Sequence, residues 1–467
     1  MKQTRKYSYK ILGVLSFTSF IVMYVEAMMI PALPQIFSEL NYSVNMVIIS
    51  WIITIYLLVA TISMPVFGKL GEIYGKKKML MLALLIYSFS VSLSGFTNQF
   101  YILIFLRGVQ GIGAAVFPLS YAILADYYNK EMLPLTQGVL SAMFALGASV
   151  GIIVGSDIVQ NLNWQWSYHT IAPFVIISLI LVFKEIKKDT PEKKEKFDFL
   201  SITFLTLSMI YFVVAMGFLP AVGIYNFTVI SLLILSVASF IMFIIYALVQ
   251  SHPLIEINIL SNRNVFASNV IAIFLGIIQF ILYQPLIFLL IDPVPVGYSF
   301  SYFYAGLIIA PYSIAMLFAA PLSAILIKRI GQKKVLVYGS ILSMFGYISL
   351  AATMGVLPFL IISISIISCG LSFGLVGSIN LLTISLPSER VSSGTSFNIL
   401  FRTMGGVMGG TIAALLLIYW QYQYIPNIYA APILLPAWIS YKYIFLTGAL
   451  FSLLSLIASF MVKVSSI

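Results

Sequence analysis

Fourteen apolar runs, each long enough to cross a membrane, dominate this chain of 467 residues. A helix needs roughly 20 apolar residues to traverse the hydrocarbon layer. Lipid offers no partner to a backbone amide, so a spanning segment must be a helix or a strand of a closed barrel. These runs are continuous rather than short and alternating, which predicts helices. They fall at approximately 11–35, 46–67, 79–97, 100–125, 136–160, 167–183, 199–219, 226–249, 264–291, 302–327, 335–353, 357–382, 392–418 and 441–462. Charged residues are 8% of the chain, against about 25% in soluble domains. A water-soluble fold is excluded, and an all-α integral membrane protein is expected.

The net charge of +11 invites a nucleic-acid reading, but its distribution argues against one. Of the 25 Lys and Arg, all but Arg107, Arg402 and Lys442 lie in segments that a fourteen-span count puts on one side. This positive-inside bias predicts a multi-pass protein of the cytoplasmic membrane with both termini in the cytoplasm. The basic stretch Lys2, Arg5, Lys6 and Lys10 precedes a first run too long for a signal peptide. The single Cys369 lies inside a run, which permits no internal disulfide and argues against a Cys-based metal site. No Ser/His/Asp set or nucleotide loop is visible, so an enzyme is not expected.

The runs group as six, two and six. Residues 1–183 are read as an N-terminal six-helix bundle and 184–198 as a charged cytoplasmic linker. Two extra spans occupy 199–249, a cytoplasmic connector 250–263, and a C-terminal six-helix bundle 264–467. The two sets of six repeat weakly. Pro65, Gly75, Lys77, Lys78 and Gly138 recur 256 residues later as Pro321, Gly331, Lys333, Lys334 and Gly394. Duplicated halves about a central site are a common transporter construction.

With these residues in view, the chain resembles the major facilitator superfamily, and within it the fourteen-span drug:proton antiporter group. Gly68-Lys-Leu-Gly-Glu-Ile-Tyr-Gly-Lys-Lys-Lys78 matches the family's loop motif, with Glu72 in the Asp position. Arg107–Ala115 matches the span-four motif, and Ala32-Leu-Pro-Gln-Ile36 the end of the span-one motif. Asn163-Trp-Gln-Trp-Ser167 resembles the opening of span six, His252–Arg263 the connector before span nine, and Gly297–Ser299 with Ala305–Leu307 the entry to span ten. Two features depart from the pattern. The family's span-one Asp falls on Val25, with Glu26 next to it, and Ile152 and Ser156 replace a Pro and a Gly of the span-five motif. The resemblance implies two six-helix bundles plus two extra spans, and export by alternating access. It also implies a proton gradient in place of a bound cofactor, partners limited to a small-molecule substrate, protons and lipid, and a monomer.

Few ionisable residues lie inside the runs, where they are costly and usually face a cavity or a partner. Glu26 is about 15 residues into span one, roughly 22 Å from the inner face, and Arg107 about seven residues into span four, roughly 10–12 Å from the outer face, so the two lie at a similar level. Glu26 is expected to carry the proton and sense a cation, with Arg107 tuning it; the competing expectation is a fixed ion pair between two helices. Burial raises a carboxyl's pKa in general and a nearby arginine lowers it, so a cavity that opens and closes can load and release a proton. Asp157 is the next coupling candidate, or else an interfacial acid. Arg402 either attracts an anionic group or satisfies carbonyls. Tyr24, Gln110, Tyr283, Gln284, Asn398 and Arg402 are candidates for the substrate cavity, where aromatics combine with a few polar groups. Gly68, Glu72, Gly75, Lys76 and Lys77 are expected to form a conformational latch, with Glu72 accepting from helix N-terminal amides. Gly138 repeats as Gly394, while Gly147, Gly151 and Gly155 form a small-residue face for close helix packing; Gly405/Gly409 and Gly406/Gly410 repeat that device. The leading expectation is proton-coupled export of amphipathic or cationic compounds. A facilitator of a defined solute or anion using Arg107 or Arg402 is the alternative, and a non-transporting scaffold or sensor is more remote.

Overall fold

The computed structural model describes residues 2–39, 46–129, 131–187, 198–250, 261–387, 390–425 and 433–463. Fourteen of its helices are long and apolar enough to span a membrane. Spans one to six are Tyr9–Ala32, Ile55–Tyr74, Lys76–Ser94, Phe100–Tyr127, Leu133–Asn161 and Trp164–Glu185. Spans seven and eight are Phe199–Val222 and Phe227–Val249. Spans nine to fourteen are Arg263–Ile291, Phe303–Ile330, Gln332–Thr353, Leu357–Ser385, Ser393–Tyr419 and Trp438–Phe460. Much of the linker (188–197) and of the connector (251–260, with His252) lies outside the described residues.

Polar caps start several of these helices. The side chains of Asn163, Asp198, Asn226, Asn262 and Ser301 each accept a backbone N–H two or three residues on. Such a cap satisfies amides that the first helical turn leaves free. Two spans are interrupted, span one towards its far end and span four at its middle. Span one breaks at Met28, between helices Lys2–Ala27 and Met29–Glu39, because Pro31 has no N–H to return to Ala27. Span four tightens into a 3₁₀ turn over Ile112–Ala115, beside Gly111 and Gly113.

Each half has one large apolar core. One draws on Ile11 through Ile186, joined by Ile379 and Ile399. The other draws on Ala267 through Val462, joined by Ala145. The halves meet along two seams, span five against span ten and span two against span thirteen. These seams are equivalent under the 256-residue repeat. Spans seven and eight break the equivalence. Span seven packs on both span two and span thirteen, and Leu205, Met209, Phe243, Ala247, Phe397 and Leu400 form a small core there. The Thr411 hydroxyl donates to the Met216 carbonyl at 3.2 Å, and the Ser236 hydroxyl to the Ser208 carbonyl at 2.9 Å. Among the described elements, no added helix packs on spans five and ten in this way.

Two details differ from the sequence reading. The segment read as a loop, Gly68–Lys78, is helical on both sides of one residue: the helix Met46–Tyr74 ends, Gly75 turns at φ 104°, and the next helix starts at Lys76. Gly331 makes the same turn at φ 86° in the second half. This left-handed region is one that glycine enters freely. The second detail is a two-stranded antiparallel sheet, β1 (Gln421–Tyr424) with β2 (Ile433–Pro436), between spans thirteen and fourteen.

Candidate functional site

Glu26 lies two residues before the break in span one. Its Oε2 accepts the Tyr56 hydroxyl of span two at 3.1 Å. The ring of the same phenol also meets a charge: the Arg107 guanidinium sits 4.7 Å from its centroid. Tyr56 therefore stands between acid and base, and no ion pair joins Glu26 to Arg107 among the described residues. This corrects the expected fixed pair. Arg107, 1% exposed, is held by neutral acceptors instead. Its Nε donates to the Ile52 carbonyl at 3.3 Å and its Nη1 to Gln110 Oε1 at 2.9 Å.

Gln110, expected in the substrate cavity, is Arg107's partner. It is fully buried, and its Nε2 donates to Ser94 Oγ at 2.7 Å, so both ends of the amide are engaged. It links Arg107 of span four to Ser94 of span three. Asn398 is another candidate for that cavity. Its Nδ2 lies 3.1 Å from the Ser268 carbonyl and 3.0 Å from Ser268 Oγ, with Asn269 Oδ1 at 3.2 Å. It ties span thirteen to span nine. Asp157 is exposed at the far end of span five, where its Oδ1 accepts from Asn161 Nδ2 at 3.0 Å, away from Glu26 and Arg107. Tyr24 is 5% exposed with its ring 6.3 Å from that of Phe20. Tyr283 sits edge-on to Tyr312 with centroids 5.2 Å apart. The side chain of Gln284 lies outside the described residues.

Arg402 reaches the same centre from the C-terminal half. It is half-buried, and its guanidinium has neither a hydrogen bond nor an ion pair among the described residues. Its charge and that of Arg107 both act on Glu26, and Tyr121 and Tyr312 lie within its electrostatic range. Tyr56, Tyr121 and Tyr312 escaped the sequence reading, since nothing local distinguishes them among 28 tyrosines.

Glycines fix the helices that carry these charges. A Cβ at Gly151 would lie 2.5 Å from the Tyr24 carbonyl oxygen, and one at Gly155 3.0 Å from Met28 Cα. Gly147 meets Phe20 in the same way. The glycine face of span five thus lies on the span-one backbone on either side of Glu26. In the second half Gly405 and Gly409 lie on Ile273 and Ile277, and Gly276 abuts the Arg402 carbonyl. A Cβ at Gly138 would lie 2.8 Å from the Ala320 carbonyl oxygen, on the seam between halves.

The halves are also joined at the end of the bundle that holds the basic turns. Glu72 Oε1 accepts the Ser393 backbone N–H at 2.8 Å, at the start of the span-thirteen helix, while Lys69 lies 3.8 Å from its other oxygen. A helix start offers free amides and a partial positive charge, which suits a carboxylate. Lys76 Nζ reaches both oxygens of Asp126 at 2.7 Å, and Lys77 caps the end of span six through the Phe183 carbonyl at 2.8 Å and that of Ile186. Gly68 is buried in the span-two helix. Gln137 Nε2 adds a cross-half bond to Thr383 Oγ1 at 3.1 Å. Asp126 and Gln137 were not anticipated; only the acid at the end of span four, on the same side as the lysines, offered a signal.

Comparison with known proteins adds context to this geometry. A model of the Major Facilitator Superfamily matches residues 15–302. The chain is similar to the multidrug transporter protein MdtP of Bacillus subtilis (strain 168), with 26% identity over 388 residues, 82% of this chain and 70% of that protein. It is similar to multidrug resistance protein 3 of the same organism, with 25% identity over 369 residues, 78% of this chain and 71% of the other. The crystal structure of the human organic anion transporter MFSD10 (TETRAN) superposes with a TM-score of 0.67 at 14% identity, covering 97% of this chain and 99% of that one. At that identity the likeness speaks for the fold alone.

Proposed function

This chain belongs to the Major Facilitator Superfamily, whose members are transporters rather than enzymes, and from that premise we propose that it exports amphipathic small molecules, cationic ones among them, in exchange for protons. The observation that carries the reading is Glu26, an acid deep in span one whose hydrogen bond comes from a neutral phenol and which has no ion-pair partner among the described residues. A carboxyl so placed can exist with or without its proton, and a cationic group and a proton compete for it. Multidrug relatives at about 25% identity support the substrate class. In this reading the basic end faces the cytoplasm of a cell membrane and the protein works as a monomer. The Glu72–Ser393 and Gln137–Thr383 bonds then close the cytoplasmic side, and their release opens it.

The test is uptake of a fluorescent lipophilic cation into inside-out vesicles under an imposed proton gradient. Wild type is expected to accumulate the dye and Glu26→Gln to lose gradient-driven accumulation. Full accumulation by Glu26→Gln would remove Glu26 from coupling. A second reading, a facilitator of an organic anion, is favoured by the unpartnered Arg402; it predicts gradient-independent flux of an anionic dye that Arg402→Gln abolishes.

A further inference from the structure

Three charged side chains lie well inside the spans among the described residues: Glu26, Arg107 and Arg402. Their sum is one excess positive charge with Glu26 ionised, and two with it protonated. Arg107 is locked by the Ile52 carbonyl, Gln110 and the Tyr56 ring, so it is not available to a ligand. Arg402 differs. Its peptide is clamped where Gly276 of span nine crosses it, which fixes the root of the side chain, yet its guanidinium has no partner among the described residues. Glu26 is rooted in the same manner, between Tyr24 and Met28, which Gly151 and Gly155 clamp. Each half thus offers one rigidly rooted charge, an acid from span one and a base from span thirteen.

A simple cation is a poor fit to this pair. It neutralises Glu26 but leaves Arg402 uncompensated in a low-dielectric site, where an unpaired charge is expensive. A simple anion leaves Glu26 unmet. We infer that the central site is built for a dipolar substrate, one molecule bearing a cationic amine that engages Glu26 and an anionic group that engages Arg402. This rests on the proton-exchange reading above and refines its substrate class. Coupling is retained: a proton on Glu26 expels the amine end, while Arg402 supplies affinity that a proton does not contest.

The test uses the full-length protein in proteoliposomes with an imposed pH gradient and two dyes of one skeleton. One is a rhodamine with a free benzoate, dipolar at neutral pH; the other is its ethyl ester, a cation only. Wild type is expected to take up the dipolar dye with a KM about tenfold below that of the ester, the scale of one charge-assisted contact. In Arg402→Gln the ratio falls to about one, and in Arg402→Lys it is partly restored, since a point charge replaces a planar fork. The wild-type ratio alone decides the matter if the variants fail to fold. Equal handling of both dyes with gradient dependence retained overturns the dipolar assignment and leaves proton-coupled export standing. No gradient-driven uptake of either dye by folded wild type overturns both.

Discussion

Tyr56 gives two charged residues a shared neutral partner, its hydroxyl on Glu26 and its ring under Arg107. Tyr56→Phe keeps the ring and orphans a carboxylate oxygen, so thermal melts of the purified protein should register a loss of about 1–3 kcal/mol. Tyr56→Ala removes the cation–π contact as well and should cost more; an equal loss in the two would mean that the ring contributes nothing. Asp292, just beyond span nine, accepts the Tyr441 hydroxyl at 2.7 Å, and burial pushes its carboxyl above the usual range while that bond pulls the other way. A raised acid holds its proton more firmly in the folded chain. Its contribution to stability is present at low pH and is lost as pH rises through the folded value. The Tm of Asp292→Asn relative to wild type should therefore rise between about pH 3.5 and 7, and a flat or falling difference would contradict the burial argument. At this scale the charges were legible, because an acid or arginine inside an apolar run stands out. Their partners were not: Tyr56, Gln110 and the Ser393 amide are chosen by helix crossings that no local pattern encodes.

Helices in this protein approach one another where side chains stop at hydrogen. Gly151→Leu places carbon against the Tyr24 carbonyl, a backbone contact that cannot yield, and should cost about 1–3 kcal/mol or more in thermal melts. Transport should fall with it, since Glu26 lies on the displaced turn. Gly217→Ala, where nothing lies within 4 Å, is the matched control and should behave as wild type. The spacing of Gly147, Gly151 and Gly155 announced a packing face, but only the fold names span one as its partner. The Gly68–Tyr74 stretch was misread because charges and glycines mark the edge of the membrane, and an edge of the membrane is not the end of a helix. The backbone continues past the hydrocarbon on its own hydrogen bonds, with Lys69 and Glu72 meeting one turn apart, and stops only where Gly75 takes a positive φ.

Across the whole molecule, Glu72 is the acid that ties the N-terminal half to the first turn of span thirteen. Glu72→Ala removes a charge-assisted bond of about 1.5–3 kcal/mol and should shift the balance toward separation of the basic ends by about ten- to a hundredfold. Spin labels at the exposed, repeat-related positions Lys78 and Lys334, in a Cys369→Ser background, would report a longer and broader distance distribution. An unchanged distribution would mean that the other cross-half contacts suffice. The six, two, six order and the duplicated halves could be read from run lengths and the 256-residue repeat. Which flank the extra pair would occupy could not, since its residues are apolar on every side. That placement has a consequence for how the bilayer acts on the protein. With spans seven and eight laid over the junction of spans two and thirteen, a helical hairpin stands between that flank and the surrounding lipid, whereas among the described elements no added helix covers the junction of spans five and ten. For the proposed exporter, lateral pressure, chain unsaturation and bilayer thickness then load the two flanks unequally, and a change of lipid should shift the balance between its closed and open states in one preferred sense.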